Sequence, residues 1–416
     1  MQRVIGIDFG TTNSVIALRG DAGVRVLHHR GDDGAAAVFR SVLCFWADAQ
    51  GRTRHAAGPA GIEAYLEDPL ESRLIMSMKS YLAQSSFRET QILGRSWTLE
   101  ALVALFLKDL LAPFAAEIAD ARIVVGRPVR FVGDSADDAL GEQRLRAAFA
   151  LAGLPQVEIA LEPAAAGQRF AATLDHPAAV LVADFGGGTS DFSLLRFEPG
   201  PPRRVTPLGH AGVGIAGDAF DYRIIDNLIS PRLGKGDLYR VMGSEMPIPP
   251  AWYASFARWH LLSLMRAPKT MRDIETVTRT ALHPEKLRSL MRLVKDEAGY
   301  ALYRAVSAAK AALSRAEEVE LRFTHGSFDL RAPLHRRDFE GWIAPELKRI
   351  GAAVDAALAD AALPPDAVDR VFLTGGTSLV PAVRRLFENR FGAARIVAGG
   401  EFVSVAEGLA LMEPPA

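Results

Sequence analysis

The chain has 416 residues, 49% of them hydrophobic and 23% charged, so it is long and apolar enough to bury more than one core. Its formal net charge of -1 provides no cationic excess for nucleic acid or for an anionic membrane. The single cysteine, Cys44, excludes an internal disulfide, and the nine histidines show no zinc-ligand spacing. Because the sequence has neither a run of about eighteen apolar residues nor a secretory leader pattern, we expect a cytoplasmic protein that binds neither membrane nor nucleic acid.

Strands and helices alternate along the chain. Strands, recognised by β-branched and apolar runs, are predicted at residues 4–7, 15–18, 24–27, 123–125, 180–183, 205–208, 319–323 and 371–373. Helices, recognised by apolar residues at helical spacing, are predicted at residues 100–119 with a break near Pro113, and at 142–152, 297–318 and 344–362. Residues 233–284 are the least regular stretch and are predicted to be an insertion. The first three strands favour a meander, and the alternation as a whole favours an α/β architecture.

One pattern occurs twice in the sequence. Residues 5–14 and residues 182–191 each contain a strand that ends in Asp, a turn of glycine and hydroxyl residues, and the start of a second strand. Glycines let backbone N–H groups approach an anion, hydroxyls add donors, and Asp8 or Asp184 can hold a hydrated divalent cation. Two such hairpins facing each other would grip a polyphosphate from both sides. The repeat therefore predicts a nucleotide-binding clamp.

A third glycine turn follows the predicted strand at residues 371–373. Residues 374–378 read Thr-Gly-Gly-Thr-Ser and open a helix that has Pro381 near its first turn. Glycines here would let a nucleoside lie against the backbone, and the start of the helix offers donors for ribose or phosphate oxygens. This turn is predicted to complete the nucleotide site.

Together with shorter segments, these motifs resemble the ATPase region of the DnaK-type heat-shock chaperones, in the actin-like ATPase superfamily, and above all their short YegD-like branch. The matching segments run in order along nearly the whole chain, the predicted insertion excepted; they are residues 6–14, 78–82, 125–129, 161–167, 184–191, 209–212 and 373–377. The resemblance implies a two-lobed actin-like α/β fold with a duplicated mixed sheet, flanking helices and a nucleotide cleft between the lobes. It assigns residues 1–172 to lobe I, with a peripheral subdomain at 31–119, and residues 173–416 to lobe II, with a peripheral subdomain at 213–318 and a last helix that returns to lobe I.

The resemblance also implies a role for individual residues in a site for ATP or ADP with Mg2+. Asp8 and Asp184 would hold the magnesium ion through water, Lys79 would lie near the γ-phosphate, and Glu162 would lie near the attacking water. The expected catalytic residues are Lys79, Glu162, Asp184, Thr189 and Asp191. The expected nucleotide-binding residues are Gly10, Thr11, Thr12, Asn13, Gly186, Gly187, Gly188, Gly214, Gly217, Lys310, Ser314, Gly375, Gly376 and Thr377.

The function implied is that of a chaperone-like, magnesium-dependent ATPase. The sequence ends at residue 416, soon after the expected last helix, so no client-binding domain is expected. An unfolded protein or a co-chaperone would then bind in trans. Ala311 and Phe402 depart from the pattern of the larger chaperones near adenine, so base selectivity and turnover stay open.

Three other interpretations stay open as well. A sugar-type kinase of the same superfamily needs a carboxylate that deprotonates a sugar hydroxyl, and Asp134 and Asp137 are the candidates. An actin-like filament protein could use Trp252 and Trp259 of the insertion as a partner surface. A protein that binds nucleotide without turnover is the third. The pattern Gly-x-Gly-x-x-Gly at residues 212–217 lies outside a first strand-to-helix turn and does not predict NAD binding.

Overall fold

The computed structural model describes residues 2–31, 34–68, 71–131, 136–168, 174–199, 204–258, 261, 265–296, 298–398 and 405–413. The chain divides into two compact units. The first unit comprises Met1–Gly214, Ile350–Ser378 and Arg384–Ala416, and the second comprises Ile215–Arg349 and Leu379–Val383. The lobe boundary expected after residue 172 stays a prediction. In the part of the chain described here, no helix combines the length and the apolar character that a membrane span requires.

Each repeated hairpin forms the middle of a large sheet in the first unit. The strand order of the first sheet is Glu158–Leu161, Arg122–Arg127, Val4–Phe9, Asn13–Gly20 and Gly23–Val26, with Phe39–Arg40 paired to Asn13–Gly20. The order of the second sheet is Arg204–Val213, Ser190–Glu198, Ala178–Phe185, Arg370–Thr374 and Ile396–Ala398. In both sheets the first strand of the hairpin pairs antiparallel with the second strand and parallel with a strand from later in the chain. The sequence repeat is therefore a repeat of local topology, and the predicted opening meander is confirmed.

The central strands are apolar on both faces because both faces are covered. Ile5 and Ile7 are fully buried in the core beneath the first sheet, whereas Val4 belongs to a second core on the other side. The helix Val405–Leu411 lies so close to this other face that a Cβ on Gly6 would come within 2.1 Å of the Ala406 carbonyl oxygen. Glycine is therefore required at residue 6 by close packing.

Further elements of the first unit surround these two sheets. Three short strands form a separate sheet: Val42–Ala47, Thr53–Ala57 and Ser72–Met76. Two further hairpins are formed by Glu89–Ile92 with Arg95–Thr98 and by His29–Gly31 with Gly34–Ala36. The α-helices are Gly58–Glu67, Leu99–Leu111, Ala115–Ile118, Asp138–Leu151, Glu162–Ala166 and Val405–Leu411, and the helices Ala344–Asp360 and Pro381–Phe391 each have residues assigned to both units. The predicted helix at residues 100–119 is interrupted at Ala112–Phe114 by a 3-10 turn, because Pro113 cannot donate a helical hydrogen bond.

The second unit contains helices and two antiparallel hairpins. The hairpins are Leu238–Val241 with Ser244–Pro247, and Glu318–His325 with Phe328–His335. The helices are Gly217–Ile224, Pro250–Phe256, Pro268–Thr280, Pro284–Lys295, Gly299–Leu313 and Arg336–Trp342. Residues 233–284 are thus more regular than the sequence predicts. Their helix Pro268–Thr280 buries Ile274, Val277 and Thr278, which have the i, i+3, i+4 spacing of one helical face, a pattern that the sequence analysis missed.

Candidate functional site

The turns of the two repeated hairpins lie against each other within the first unit. A Cβ on Gly187 would come within 2.4 Å of the Thr12 hydroxyl oxygen, so the second turn touches the first. Asp8 and Asp184 stand near the ends of the first strands of the two hairpins, and they are close enough for the charge of Asp184 to add to the effects of burial and Glu162 that raise the pKa of Asp8. The structure therefore brings together two motifs that are far apart in sequence.

The first turn, Gly10 to Asn13, is tight and partly accessible. A Cβ on Gly10 would lie 2.1 Å from the Asn13 carbonyl oxygen, which leaves no room for another residue. Thr11 and Thr12 are half-buried, so their hydroxyl groups can reach a ligand. Asn13 is exposed, and its side-chain oxygen accepts a hydrogen bond from Nη1 of Arg40 at 3.2 Å.

The second turn closes through a backbone hydrogen bond from Gly186 N–H to the Thr189 carbonyl oxygen, at 2.9 Å. No atom lies within 4 Å of the place that a Cβ on Gly188 would occupy. The Thr189 hydroxyl donates to Oδ2 of Asp191 at 3.4 Å. Open space over glycine backbone, bordered by hydroxyl groups, suits an anion such as a phosphate.

Lys79 and Glu162 form a buried ion pair beside these turns. Lys79 lies in the 3-10 turn Met78–Tyr81 and Glu162 begins the helix Glu162–Ala166, and both are 8% exposed. The distance from Lys79 Nζ to Glu162 Oε1 is 2.5 Å. Although burial alone would lower the pKa of Lys79, the carboxylates of Glu162 and Asp8 raise it above its ordinary value. The lysine is therefore charged at neutral pH.

The carboxylates around Lys79 are crowded. Burial, together with the charge of Glu162, raises the pKa of Asp8 to about 8. Burial, together with the charge of Asp184, raises the pKa of Asp191 to about 7. Burial also raises the pKa of Glu162, although Lys79 opposes the rise. The site therefore favours binding of additional positive charge.

The residues present fit the expected magnesium ion. Asp8 and Asp184 offer the hard oxygen donors that Mg2+ prefers, and a divalent cation would offset the burial and the neighbouring carboxylate charges that raise the pKa of Asp8. The hydroxyl of Thr374 donates to Oδ1 of Asp184 at 2.7 Å and orients that carboxylate. Across the residues that can be described, no group of three or more His, Cys, Asp or Glu side chains could hold a metal directly. The expected contacts pass through water.

The third glycine turn joins the same part of the first unit. Gly375 has a left-handed φ of 83°, and a Cβ on it would lie 2.0 Å from the Phe185 carbonyl oxygen. The turn therefore packs directly against the end of the second hairpin's first strand. Gly376 is exposed and Thr377 is buried. Gly214, at the end of the first unit, is exposed with open space around it.

The other expected nucleoside-binding residues lie in the second unit. Nζ of Lys310 donates to the Gly217 carbonyl oxygen at 3.0 Å and to Oδ2 of Asp221 at 2.8 Å. Ser314 is half-buried and follows the helix Gly299–Leu313 directly. The sequence analysis missed Asp221, whose pKa burial raises to about 6 despite Lys310. The sequence feature that could have identified Asp221 is its position between Phe220 and Ile224, where an acidic residue lies on the apolar side of the helix Gly217–Ile224.

Several other candidates can now be located. Oδ1 of Asp137 accepts a hydrogen bond from Leu140 N–H at 3.0 Å and caps the helix Asp138–Leu151. Trp252 is half-buried and Ala311 is exposed. The remaining candidates lie outside the described residues; they are Asp134, Trp259 and Phe402.

A family model and known proteins match most of the chain. A sequence model of the Hsp70 protein family matches residues 82–235 and 286–411. The chain is 26% identical over 419 residues to the chaperone protein DnaK of Deinococcus deserti, and 26% identical over 418 residues to that of Deinococcus radiodurans. Each of these matches covers 94% of this chain and 56% of the relative, so the chain spans about half the length of the curated relatives it matches. The unmatched interval, residues 236–285, nearly coincides with the predicted insertion.

Proposed function

Because the chain belongs to the Hsp70 family, we propose that it binds ATP and hydrolyses it to ADP and phosphate at the carboxylate-rich site of its first unit. Members of this family have the actin-like ATPase fold, so the fold class predicted from the sequence is confirmed. The observation that carries the proposal is the meeting of the two repeated turns, with the Lys79–Glu162 pair beside Asp8.

In this proposal the glycine turns hold the phosphates. The hydroxyls of Thr11, Thr12 and Thr189 and the backbone N–H groups around Gly187 and Gly188 donate to phosphate oxygens. Asp8 and Asp184 would hold magnesium through water, and the ion would supply positive charge that neutralises the phosphates. The Gly375 turn approaches the nucleoside. Gly217, Lys310 and Ser314 are proposed, from the resemblance alone, as nucleoside-binding residues.

Hydrolysis requires charge stabilisation and a proton acceptor. Lys79 is charged, and it would stabilise the negative charge of the phosphoryl group as it transfers. The water oxygen forms a bond to the γ-phosphorus while the bond from that phosphorus to the bridging oxygen breaks, and ADP leaves with the electron pair. Asp191, whose pKa is about 7, can accept the water proton near neutral pH, and Glu162 lies beside it.

The cellular role that we propose is that of a chaperone-type nucleotide switch in the cytoplasm. The support is the similarity to the two DnaK proteins over most of this chain. An unfolded protein or a co-chaperone would be recognised in trans. A sugar-type kinase is less well supported, because Asp137 serves as a helix cap.

The proposal is tested by phosphate release from ATP with purified protein. We expect magnesium-dependent turnover that falls by about 100-fold or more in Lys79→Met and in Asp184→Asn. Exposed Lys348 provides a matched control, Lys348→Met, which should keep wild-type turnover. If both site variants turn over ATP at the wild-type rate, the proposed site is wrong. If the rate rises only when a sugar is added, the kinase interpretation is favoured instead.

A further inference from the structure

A pocket adjoins the carboxylate cluster within the first unit. Its lining includes Glu162, Asp184 and Asp191, which the proposed hydrolysis uses, and Ser193 and His210, which it does not. About 330 Å³ of this space is free of protein atoms, part of it open to solvent. A histidine that shares a pocket with three carboxylates of a hydrolytic site is a candidate for a part in the reaction.

Strand pairing places His210 next to Asp191 on one face of the second sheet. Ser193 is directly opposite His210, and Asp191 is opposite Gly212. Because alternate residues of a strand share a face, Asp191 and Ser193 lie side by side, and His210 is diagonal to Asp191. Gly212 leaves the space between them free, since a Cβ there would lie 2.8 Å from Oδ1 of Asp191.

The ring of His210 has distinct partners at its two nitrogens. Nδ1 lies 3.1 Å from the Ser193 hydroxyl oxygen, which is a hydrogen-bond distance. When Ser193 donates to Nδ1, the proton of the neutral ring is on Nε2. Nε2 lies 3.9 Å from Oδ1 of Asp191, too far for a direct hydrogen bond and close enough for a shared water. Burial and the charge of Arg130 lower the pKa of His210 to about 4, so the ring is neutral.

The backbone around His210 is also held in place. The pairing register shifts between Leu194 and Leu195, at a bulge just before Gly209, and bulges commonly re-aim a neighbouring side chain. The His210 N–H donates to Oδ2 of Asp360 at 2.9 Å. A Cβ on Gly209 would lie 2.5 Å from the Ala361 nitrogen, so this strand packs closely on the end of the helix Ala344–Asp360. The imidazole is therefore fixed from the backbone as well as through Ser193.

We propose that His210 is a positioning residue for ATP hydrolysis: Ser193 fixes its tautomer, and its Nε2–H group orients the Asp191 carboxylate through a water in the pocket. Asp191 then faces the attacking water in the geometry that accepts its proton. This inference rests on the proposed ATP hydrolysis at the same site. A histidine with a purely structural role would affect folding but would leave the catalytic step unchanged.

Steady-state and single-turnover kinetics of three variants test the role. His210→Leu fills the space without a donor, and we expect kcat to fall by about 10- to 100-fold while the Kd for ADP stays within about twofold. His210→Gln keeps a donor near the position of Nε2 and should recover most of the loss. The control His28→Leu removes an exposed histidine and should keep wild-type kinetics. A wild-type kcat in His210→Leu would overturn the proposal.

A double-mutant cycle tests the link to Ser193. Ser193→Ala alone should lower kcat by less than His210→Leu does, because the ring stays but its tautomer is free. Adding Ser193→Ala to His210→Leu should lower kcat no further. If the two losses multiply, the residues act independently and the proposed relay is wrong.

Nitrogen-15 NMR of labelled histidine reads the tautomer without any turnover. His210, assigned by comparison with His210→Gln, should carry its proton on Nε2 in the wild type and lose this preference in Ser193→Ala. A proton on Nδ1 in the wild type would overturn the proposal even if the variant also unfolds easily. Absence of turnover in the wild type would refute the proposed hydrolysis, whereas wild-type turnover that His210→Leu leaves unchanged would refute only the role of His210.

Discussion

Replacing Lys79 by methionine removes the positive charge of the buried Lys79–Glu162 pair while keeping most of the side-chain volume. Glu162 then lies buried without its partner, and breaking a buried ion pair in this way typically costs about 3–5 kcal/mol. The carboxylate can escape part of this cost by taking up a proton. Because burial already raises the pKa of Glu162 and the loss of Lys79 raises it further, taking up a proton at pH 7 costs less than leaving the charged carboxylate unpaired.

The loss of stability in Lys79→Met should therefore lie at the low end of this range, about 3 kcal/mol at pH 7, and should shrink at lower pH. The sign follows from linkage: a carboxyl group whose pKa is raised in the folded state contributes stability at low pH, and this contribution is lost as the pH rises through the folded-state pKa. Relative to the wild type, the variant should recover up to about 1.4 kcal/mol for each pH unit below 7. Urea unfolding at pH 7 and pH 5 measures both values.

Two further variants complete this test. Glu162→Gln in the Lys79→Met background should restore part of the stability at pH 7. It should also remove the part of the pH dependence that comes from the titration of Glu162, because no ionisable group is left in the pair. Lys348→Met, at an exposed lysine, should change the free energy of unfolding by less than about 0.5 kcal/mol. A Lys79→Met variant as stable as the wild type at pH 7, or one whose loss is the same at pH 5, would refute the reasoning.

Four substitutions, at three glycines and one histidine, test other parts of the structure. Gly187→Ala should lower both the stability and the affinity for ADP, because its Cβ would displace the neighbouring turn. Gly188→Ala, whose Cβ would lie in open space, should lower only the affinity. Calorimetric titration measures the affinity, and urea unfolding measures the stability. Gly408→Ala should destabilise the protein by about 1–3 kcal/mol or more in urea unfolding, since its Cβ would lie 2.0 Å from the Ala165 carbonyl oxygen. His29 is buried, and burial is the main cause that lowers its pKa, so its contribution to stability is lost as the pH falls below about 6.5. Relative to His29→Gln, the wild type should lose up to about 1.4 kcal/mol of unfolding free energy per pH unit in that range. A difference in unfolding free energy that stays constant with pH would contradict this.

The parts of the fold that depend on residues close together in the sequence were predictable from the sequence. The repeated hairpins, the opening meander and the alternating strands and helices follow from local patterns, and the structure confirms them. The end of the predicted helix at residues 297–318 was placed too late, since the helix Gly299–Leu313 stops four residues before the strand Glu318–His325 begins. Alanine and charged residues there continue the helical pattern without marking its end.

The contacts that complete the site could not be predicted in the same way. The Thr374 hydroxyl reaches Asp184 because a parallel strand from much later in the chain pairs with the second hairpin. His210 meets Ser193 and Asp191 only after a bulge sets the register of its strand. Such contacts depend on tertiary pairing, which residue types at a fixed spacing do not encode.

The central claim is that turns from both hairpins form one magnesium-nucleotide site. Calorimetric titration of the purified chain with ADP, with and without Mg2+, tests it most directly. We predict one site per chain, tighter with Mg2+, and weakened by about tenfold or more in both Asp8→Asn and Asp184→Asn. No binding by the wild type, or binding that depends on one of these aspartates and ignores the other, would contradict the claim.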